Sequence, residues 1–562
     1  MTNSQVAELL RSIAAAYAIK GGNRFQIAAY ETAADSIEHM SGSLQDFWAQ
    51  GTLDSVPGVG SHLATYLDEL FQTGKVRHFE ETVKGIPEAT FDFLKIPGVG
   101  PKTAYKIAEA GVISIADLEK RIQSGYLEKK GFGKKTLQNI LRGIEEFRRK
   151  SDRILLPLAW ETAEGVLNYL RAMPEVKQAD SLGSLRRMVA TVGDVDLSVA
   201  SKEPKKVIDF FTRYPEAARV IEAGDKTATI ALKSGIRVDL MVQPPEHYGS
   251  LLQHFTGSKS HNIALRTYAL GIGYSLSEYG VKEEKSGKTI SCPTENDLYD
   301  LLKMQTPPPE LREGTGEIEA ALKLQLPRII TTGKIKGDLH THTVWSDGQN
   351  TLAEMVEGAK SLGYEYLAIT DHSYPNLDFE KRIFQIEQYN YSKRDIRVII
   401  GLEVNISADS TLQIPDKILQ KHEFIIASIH TSFRQPKEQI TARLISAIEN
   451  PYVDMIAHPT GRLLLEREGY EADWEKVFEA CVKHDKILEI NAFPNRLDLP
   501  DNLVRSAVAA GVKLAINTDS HHVSQLSLMP YGVSVARRGW AGEKGIVNTL
   551  PWNKVKSILK IN

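Results

Sequence analysis

The chain has 562 residues, 42% hydrophobic and 25% charged, with a formal net charge of −3. These values describe a globular protein of roughly three to four domains and exclude a uniformly basic nucleic-acid binder, so any basic surface must be local. Two cysteines, Cys292 and Cys481, exclude a disulfide framework and thiolate zinc modules and fit a reducing compartment. No apolar run approaches the ~18 residues of a membrane-spanning helix, and the first residues have no signal-peptide layout. A cytoplasmic location without membrane contact is expected. Residues 4–20 place Val6, Leu9, Leu10, Ile13 and Tyr17 at helical spacing, and a second helix is expected over about 24–39.

An internal repeat follows. Val56-Pro57-Gly58-Val59-Gly60 recurs as Ile96-Pro97-Gly98-Val99-Gly100, and Lys130-Gly131-Phe132-Gly133-Lys134-Lys135 is a looser third copy. Each copy follows a short helical run and opens another helix. Glycines at such a turn (Gly58, Gly60, Gly98, Gly100) let backbone N–H groups at a helix N-terminus approach a phosphate. This is the helix-hairpin-helix device, which holds DNA backbone without reading sequence. Residues 120–153 add eleven Lys/Arg against four Asp/Glu, a local basic face that fits DNA.

The next stretch carries chemistry. A helix at about 159–172 leads to Gly183-Ser184-Leu185-Arg186-Arg187 and then to Gly193-Asp194-Val195-Asp196-Leu197, which reads as a β-strand. A period of two puts Asp194 and Asp196 on one face and Val195 and Leu197 on the other. Thr227–Lys233 and Ile236–Val242 read as a hairpin joined by Ser234-Gly235, and its second strand carries a third acid, Asp239. Three carboxylates on adjacent strands make an oxygen-only pocket suited to Mg²⁺ or Mn²⁺, and two such ions clamp the oxygens of a phosphoryl transfer. Gly183-Ser184 supplies backbone N–H groups for a phosphate, and Arg187 is placed to grip phosphate oxygens. A lone acidic pair would be an ordinary surface strand. The Gly-Ser before it and the third acid argue otherwise.

Residues 246–315 contain His254-Phe255-Thr256-Gly257-Ser258-Lys259-Ser260-His261-Asn262, with Arg266 one turn on. Three prolines, Pro307 to Pro309, then stiffen the chain, and 316–335 read as a connector. Beyond 335 lie nine of the 15 histidines. Seven apolar runs alternate with helical patterns: Gly337–His342, Tyr366–His372, Val398–Asn405, Phe424–His430, Val453–Pro459, Ile487–Phe493 and Lys513–His521. Such alternation implies a parallel sheet, and functional residues at strand C-termini follow the (β/α)-barrel rule. A distorted seven-stranded barrel is expected. Its candidate ligands are His340, His342, Asp347, His372, Glu403, His430, His458, Asp519 and His521. Imidazole and carboxylate without thiolate suit Mn²⁺, Zn²⁺ or Fe²⁺, which activate water for attack on a phosphodiester. Arg462 and Arg496 follow strand ends and are placed to hold phosphate or to be surface charges.

The Gly-Ser, Asp-x-Asp and third aspartate resemble the palm of the family X DNA polymerases, the DNA polymerase beta family, and the histidine set resembles the PHP (polymerase and histidinol phosphatase) domain. The two halves occur together in the bacterial family X polymerases, and the resemblance covers nearly the whole chain. It implies a multidomain α+β and α/β protein: an N-terminal helical DNA-binding domain (1–85), helix-hairpin-helix fingers (86–153), a nucleotidyltransferase palm (154–245), a thumb (246–315), a linker (316–335) and a PHP phosphoesterase barrel (336–562). Asp194, Asp196 and Asp239 are implied as ligands of two Mg²⁺ or Mn²⁺ ions, with Asp239 also accepting the primer 3′-hydroxyl proton. Gly183, Ser184, Arg187, Gly193 and Gly257 are implied on the incoming deoxynucleoside triphosphate, Ser184 and Arg187 on its phosphates. Phe255 is implied under the sugar, Asn262 at the minor-groove edge of the base and Arg266 on the templating side. His254 stands where vertebrate relatives carry tyrosine, and Met241 where the family often has arginine.

In the barrel the resemblance implies up to three metals: one on His340, His342, Glu403 and Asp519, one on Glu403, His430 and His458, and one on Asp347, His372 and His521. Tyr66 falls where the family's lyase lysine is expected, and His62 takes another basic position. A phenol forms no Schiff base, so DNA binding is expected there without the lyase. The function implied is gap filling on gapped or recessed-primer DNA, with a Mn²⁺-dependent 3′→5′ exonuclease and an abasic-site or 3′-end phosphoesterase activity. Two alternatives remain at this stage: a phosphoesterase whose palm has become a DNA-holding module, and a non-catalytic DNA-end scaffold.

Overall fold

The computed structural model describes residues 3–561 except 40–43, 50, 57, 152, 375, 376 and 394; Pro57 of the first repeat therefore lies outside the described residues. Two compact units form, Met1–Asp152 and Arg153–Asn562. No helix is long and apolar enough to cross a membrane among the described residues.

The first unit is helical, with two apolar cores. Helices α1 (Asn3–Ile19) and α2 (Arg24–His39) bury Leu10, Ile13 and Ile37 with Leu63 and Leu67 of α3 (Ser61–Thr73). The second core gathers Phe93, Ile96, Ile107, Leu137 and Ile140 around α4 (Pro101–Glu109) and α5 (Lys134–Ser151). The repeat is visible as geometry. Gly58 and Gly98 have φ of +80° and +81°, a left-handed turn that glycine adopts without cost. Gly60 and Gly100 then enter α3 and α4 with extended backbone. At Gly58 a Cβ would stand 3.0 Å from the Thr32 methyl, so this turn also lies close against α2.

The second unit begins with α6 (Leu156–Arg171), which buries Ala163, Val166, Leu167 and Leu170 against a five-stranded sheet. The strands are β1 (Gln178–Ser181), β2 (Val195–Ala200), β3 (Ala217–Ala223), β4 (Thr227–Leu232) and β5 (Arg237–Gln243), in the order β1-β2-β5-β4-β3. β2 and β5 are parallel neighbours, and both bury alternate residues: Val195, Leu197 and Val199 on one, Val238, Leu240 and Val242 on the other. β2 starts at Val195, so Asp194 stands just before the strand rather than within it. The Gly183 stretch, expected as a loop, is one helical turn, Gly183–Arg186.

Helices α7 (Tyr248–Thr256) and α8 (Lys259–Gly271) follow, the latter capped by the Ser258 hydroxyl accepting from the His261 N–H. α9 (Glu295–Leu301) begins with a Thr294/Asp297 capping box. The connector differs from a free linker. Its first part is α10 (Glu317–Leu322), whose Ile318 and Ala321 complete the core made by Leu265, Leu298, Tyr299 and Leu302. Helix formation there buries two apolar residues that an extended linker would leave in water.

Seven parallel strands then pair strictly in sequence: β6 (Gly337–Thr341), β7 (Tyr366–Ile369), β8 (Arg397–Asn405), β9 (Phe424–Ser428), β10 (Met455–Ile456), β11 (Ile487–Asn491) and β12 (Lys513–Asn517). A bridge between Thr341 and Ser520 and the Leu339 N–H donating to Asn517 Oδ1 (3.0 Å) bring the first and last strands together, so the barrel is nearly closed. Leu339, Ile399, Ile426, Met455 and Ala515 share one core with Val547, Val555 and Leu559 from the end of the chain, which packs on the first strand residues Tyr366, Phe424 and Ile487.

A buried ion cluster locks α9 to the palm. Glu295 takes both nitrogens of Arg186 (2.7 and 3.0 Å) and also pairs with Arg312, which is fully buried. Burial alone would raise the Glu295 carboxyl, but Arg312 and Arg186 hold it down at about 2. A carboxyl with a lowered folded pKa contributes stability above its unfolded value and loses it as pH falls through the folded one. Glu295→Gln is therefore expected to lower unfolding stability by about 3 kcal/mol at neutral pH, and the difference from the parent protein should narrow below about pH 4.5. Chemical unfolding followed at several pH values checks both.

Candidate active sites

In the palm, the parallel register places Asp196 directly beside Asp239. Asp194 stands at the mouth of the same strand. The Thr229 hydroxyl, one strand further, donates to Asp239. Gly183 has φ +57°, and a Cβ there would lie 3.1 Å from Asp196 Oδ2, so only glycine lets this turn approach the carboxylates so closely. Burial, then Asp239, then Asp194 push the Asp196 carboxyl up to about 6. Three acids sharing a partly dry pocket fit a hard divalent cation, which the oxygen-only donor set suits. Gly193 lies beside Arg153, whose guanidinium donates to Thr191 Oγ1 at 2.7 Å.

The residues assigned to the nucleotide lie around this pocket but are engaged within the protein. Arg187 donates to the Thr256 carbonyl (2.6 Å) and to Glu313 (2.9 Å). A Cβ at Gly257 would lie 3.3 Å from the Arg187 guanidinium, so this turn and the Gly183 turn face each other. Ser184 lies in the helical turn, and its backbone carbonyl accepts from the Val189 N–H at 3.0 Å. Asn262 donates to the His254 carbonyl (2.7 Å) and accepts from Gln253 (2.8 Å). Arg266 meets His254 Nδ1 at 3.0 Å, and the His254 ring tilts against Phe255. Sequence reasoning named these residues and missed their partners Thr229 and Glu313, which carry no motif.

In the barrel, all nine sequence-named residues converge at the strand C-termini. His340 Nε2 lies 3.1 Å from His342 Nε2 and 3.3 Å from both Glu403 and Asp519. Glu403 Oε1 faces His430 (3.3 Å) and His458 (3.2 Å), and its other oxygen faces His372 (3.1 Å). Asp347 faces His372 (3.5 Å) and His521 (3.3 Å). The groupings overlap more than the resemblance implied. His342 joins Asp347, His372 and His521 as well as His340 and Asp519, and His372 joins Glu403 and His430.

Local backbone makes this possible. Gly348 lets the loop after β6 fold back, because a Cβ there would fall 2.6 Å from the Thr343 nitrogen. His458 and Asp519 have φ of +30° and +55°. Against the cost of burial, neighbouring carboxylates raise His372 to about 9, while burial pushes His430 down to about 4. Among the described residues, buried His458 Nδ1 has no hydrogen-bond partner, and buried His521 Nε2 has only the 3.3 Å approach of Asp347 Oδ1. Mixed imidazole and carboxylate donors with an orphaned nitrogen fit a divalent metal centre.

Behind these nine residues stands one the sequence reading missed. Glu489, fully buried on β11, meets His340 Nδ1 at 2.8 Å and accepts from the His458 N–H at 2.7 Å. The alternation Glu489-Ile490-Asn491 held the signal, since both polar residues share one face of a buried strand. Arg496 faces Asp519 at 3.5 Å, whereas Arg462 is spent on the backbone carbonyls of Arg496 and Leu497.

In the N-terminal unit, the Tyr66 ring stacks on His78 at 4.7 Å and 7°, and the Tyr17 hydroxyl meets His78 Nε2 at 2.8 Å. The position read as the lyase site is thus packed with aromatic rings.

A palm with in-register aspartates, joined to a nearly closed barrel that gathers histidines and acids, defines a two-centre, metal-dependent class of protein. The helix-hairpin-helix domain matches residues 1–76, the SAM-like helix-hairpin-helix tandem 91–146, the DNA polymerase beta thumb 251–313 and the PHP domain 338–493. The chain is 35% identical over 574 aligned positions, covering 100% of both sequences, to the DNA polymerase/3′-5′ exonuclease PolX of Bacillus subtilis (strain 168). The barrel alone is 30% identical over 241 positions, 40% of this chain and 95% of the relative, to a probable phosphatase of Thermoanaerobacter sp. (strain X514). It is 32% identical over 198 positions, 33% of this chain and 78% of the relative, to a probable phosphatase of Acetivibrio thermocellus. This chain belongs to the bacterial family X DNA polymerases that carry a PHP domain.

Glu489 contacts two of the nine residues, His340 and His458, without being one of them. Glu489→Gln is expected to weaken metal binding by roughly 10- to 100-fold with the fold retained. Equilibrium dialysis against manganese, with circular dichroism as the fold control, measures it.

Proposed function

We propose that this protein is a DNA repair polymerase that fills short gaps and trims 3′ ends with a 3′→5′ exonuclease in its barrel. The observation that carries the reading is the joint presence of the in-register Asp196/Asp239 pair and the converging barrel ligands in one chain that aligns end to end with a polymerase/exonuclease. Asp194, Asp196 and Asp239 hold two Mg²⁺ or Mn²⁺ ions, which supply charge to the oxygens exchanged in nucleotidyl transfer. Asp239 accepts the primer 3′-hydroxyl proton, and Thr229 fixes the orientation of its carboxylate. Ser184 and Arg187 bind the triphosphate; Arg187 must then exchange its contacts with Glu313 and the Thr256 carbonyl for phosphate oxygens. Phe255 carries the sugar, Asn262 the base edge and Arg266 the template side. Gly183, Gly193 and Gly257 let the backbone come close.

In the barrel, His340, His342, Asp347, His372, Glu403, His430, His458, Asp519 and His521 hold Mn²⁺, Zn²⁺ or Fe²⁺, which supply an activated water and neutralise a phosphodiester. Glu489 keeps His340 and His458 in orientation, and Arg496 steadies Asp519. The probable phosphatases that resemble the barrel support an additional 3′-end or abasic-site phosphoesterase activity at the same centre. Gly58, Gly60, Gly98 and Gly100 open helix N-termini to the DNA backbone, which suits gapped or recessed-primer duplexes.

The two centres share no ligand, so their activities should separate. Asp239→Asn should cut primer extension by orders of magnitude while degradation persists. His430→Ala should do the reverse, leaving extension within a few-fold. One labelled recessed primer, incubated with Mn²⁺ with and without nucleotides, reports both. Extension surviving Asp239→Asn would sink the palm assignment, and degradation surviving His430→Ala would move the nuclease out of the barrel.

A further inference from the structure

Resting on the nuclease reading of the barrel, we infer that the outer face of one helix beside the metal cluster is a stacking track for the unpaired bases of a single DNA strand whose 3′ end enters that cluster. The helix is α11 (Phe379–Ser392). Phe384 and Tyr391 are 60% and 80% exposed on it, the largest aromatic exposures of the barrel among the described residues. They lie seven residues apart, and with Lys381 they fall on one helical face, with about 10 Å between the two aromatic positions. Among the described residues, Arg382, Ile383 and Ile386 form the buried face of the helix, and the two rings lie off it.

The track leads to the metal ligands. Trp345 lies in the loop between ligands His342 and Asp347, and its indole donates to Gln385 at 2.5 Å. The Lys381 ammonium stands 5.7 Å from the Trp345 ring centroid. Half-buried Trp345 thus joins the ligand loop to the exposed aromatic face, and Val344 beside it is 55% exposed.

The chemistry selects the occupant. Exposed rings spaced along one helix face, with amides between them and the Lys381 cation at its start, bind single strands chiefly by base stacking without reading sequence, and Glu387 between the rings leaves attraction for the backbone to the Lys381 end. A duplex offers no free base faces to such rings. Gln385 and the neighbouring Gln388 interrupt the apolar surface, unlike the continuous apolar stripe of a helix that docks on protein. The position supplies the reason for selectivity: a frayed or mismatched 3′ end reaches the centre with its bases held, while a paired end does not.

The test uses the full-length protein and an oligothymidylate with 5-iodouracil near its 3′ end, photocrosslinked and mapped by mass spectrometry. It needs no turnover, so it judges the track even if the nuclease reading fails. Crosslinks are expected in 343–347 and 379–392, with far fewer from a blunt duplex carrying the same label. The double variant Phe384→Ala/Tyr391→Ala should lose the helix crosslinks. It should also raise the KM for single-strand degradation roughly tenfold, at unchanged kcat and unchanged hydrolysis of bis(p-nitrophenyl) phosphate, which is too short to reach the helix. Crosslinks confined to other segments, an unchanged KM, or a variant that instead changes the oligomeric mass would overturn the inference. Wild-type protein that hydrolyses neither DNA nor the small diester would overturn the nuclease reading alone.

Discussion

One carboxylate holds the second unit together. Glu313 Oε1 takes the Arg187 side chain of the palm at 2.9 Å and the Arg538 side chain at 2.8 Å. Arg538 closes α12 (Met529–Arg538), the helix that follows the last barrel ligands. It also donates to the Arg187 backbone carbonyl at 2.8 Å and pairs with Asp501. Arg537, its neighbour, pairs with Glu310 at 2.7 Å. Fully removing one member of such a buried network leaves charges without partners, at a cost of roughly 3–5 kcal/mol. Palm, thumb and barrel are therefore joined by a charge lattice, and the turn assigned to the triphosphate is one of its anchors. Whatever moves Arg187 acts on the barrel junction as well.

The two centres use one device, parallel neighbouring strands that bring ionisable groups side by side. In the palm, Asp196 pairs in register with Asp239. In the barrel, His372 bridges to Glu403 in the same parallel sense. The two palm carboxylates repel at such proximity, and the apolar residues on the opposite face of their strands fix them in place regardless. The ends differ. The palm acids stand near the start of β2, beside a glycine turn that approaches them. The barrel ligands follow strand C-termini, where loops are free to vary without unpicking the sheet. That difference fits a palm site of few residues and a barrel site whose nine residues come from six of the seven strands and the loops after them.

What was legible in the sequence follows from the same physics. The barrel strands read clearly because six of the seven are apolar runs ending at or near a His, Asp or Glu, and all nine named residues meet. The palm hairpin read clearly because Ser234-Gly235 separates two alternating strands. β3 was not legible: Ala217–Ala223 is almost wholly exposed, so no burial pattern marks it. β1, Gln178–Ser181, is polar and short. α10 escaped because proline-rich chain precedes it, and its two apolar anchors pack with residues far back in the chain, Leu298 and Leu265 among them. Glu489 and Glu313 escaped because a carboxylate that orients a ligand carries no spacing signature. Only its buried position reveals it.

The strain in the barrel centre shows what the surrounding fold must supply. His458 and Asp519 hold positive φ, at a cost on the order of 1 kcal/mol each. Such conformers persist only where other bonds over-determine them. They are over-determined here: the His458 N–H donates to Glu489 (2.7 Å), and the side chain of Asn491 donates to Asp519 Oδ2 (3.1 Å). Both supports come from the two polar residues of β11. Asn517 on β12 closes the set, donating to Glu489 at 3.0 Å while accepting from the Leu339 N–H. The contact that nearly closes the barrel is thus continuous with the contact that aims its ligands. Barrel closure and ligand geometry are one constraint, which is why the first and last strands, 178 residues apart at that bond, must meet before the centre can form.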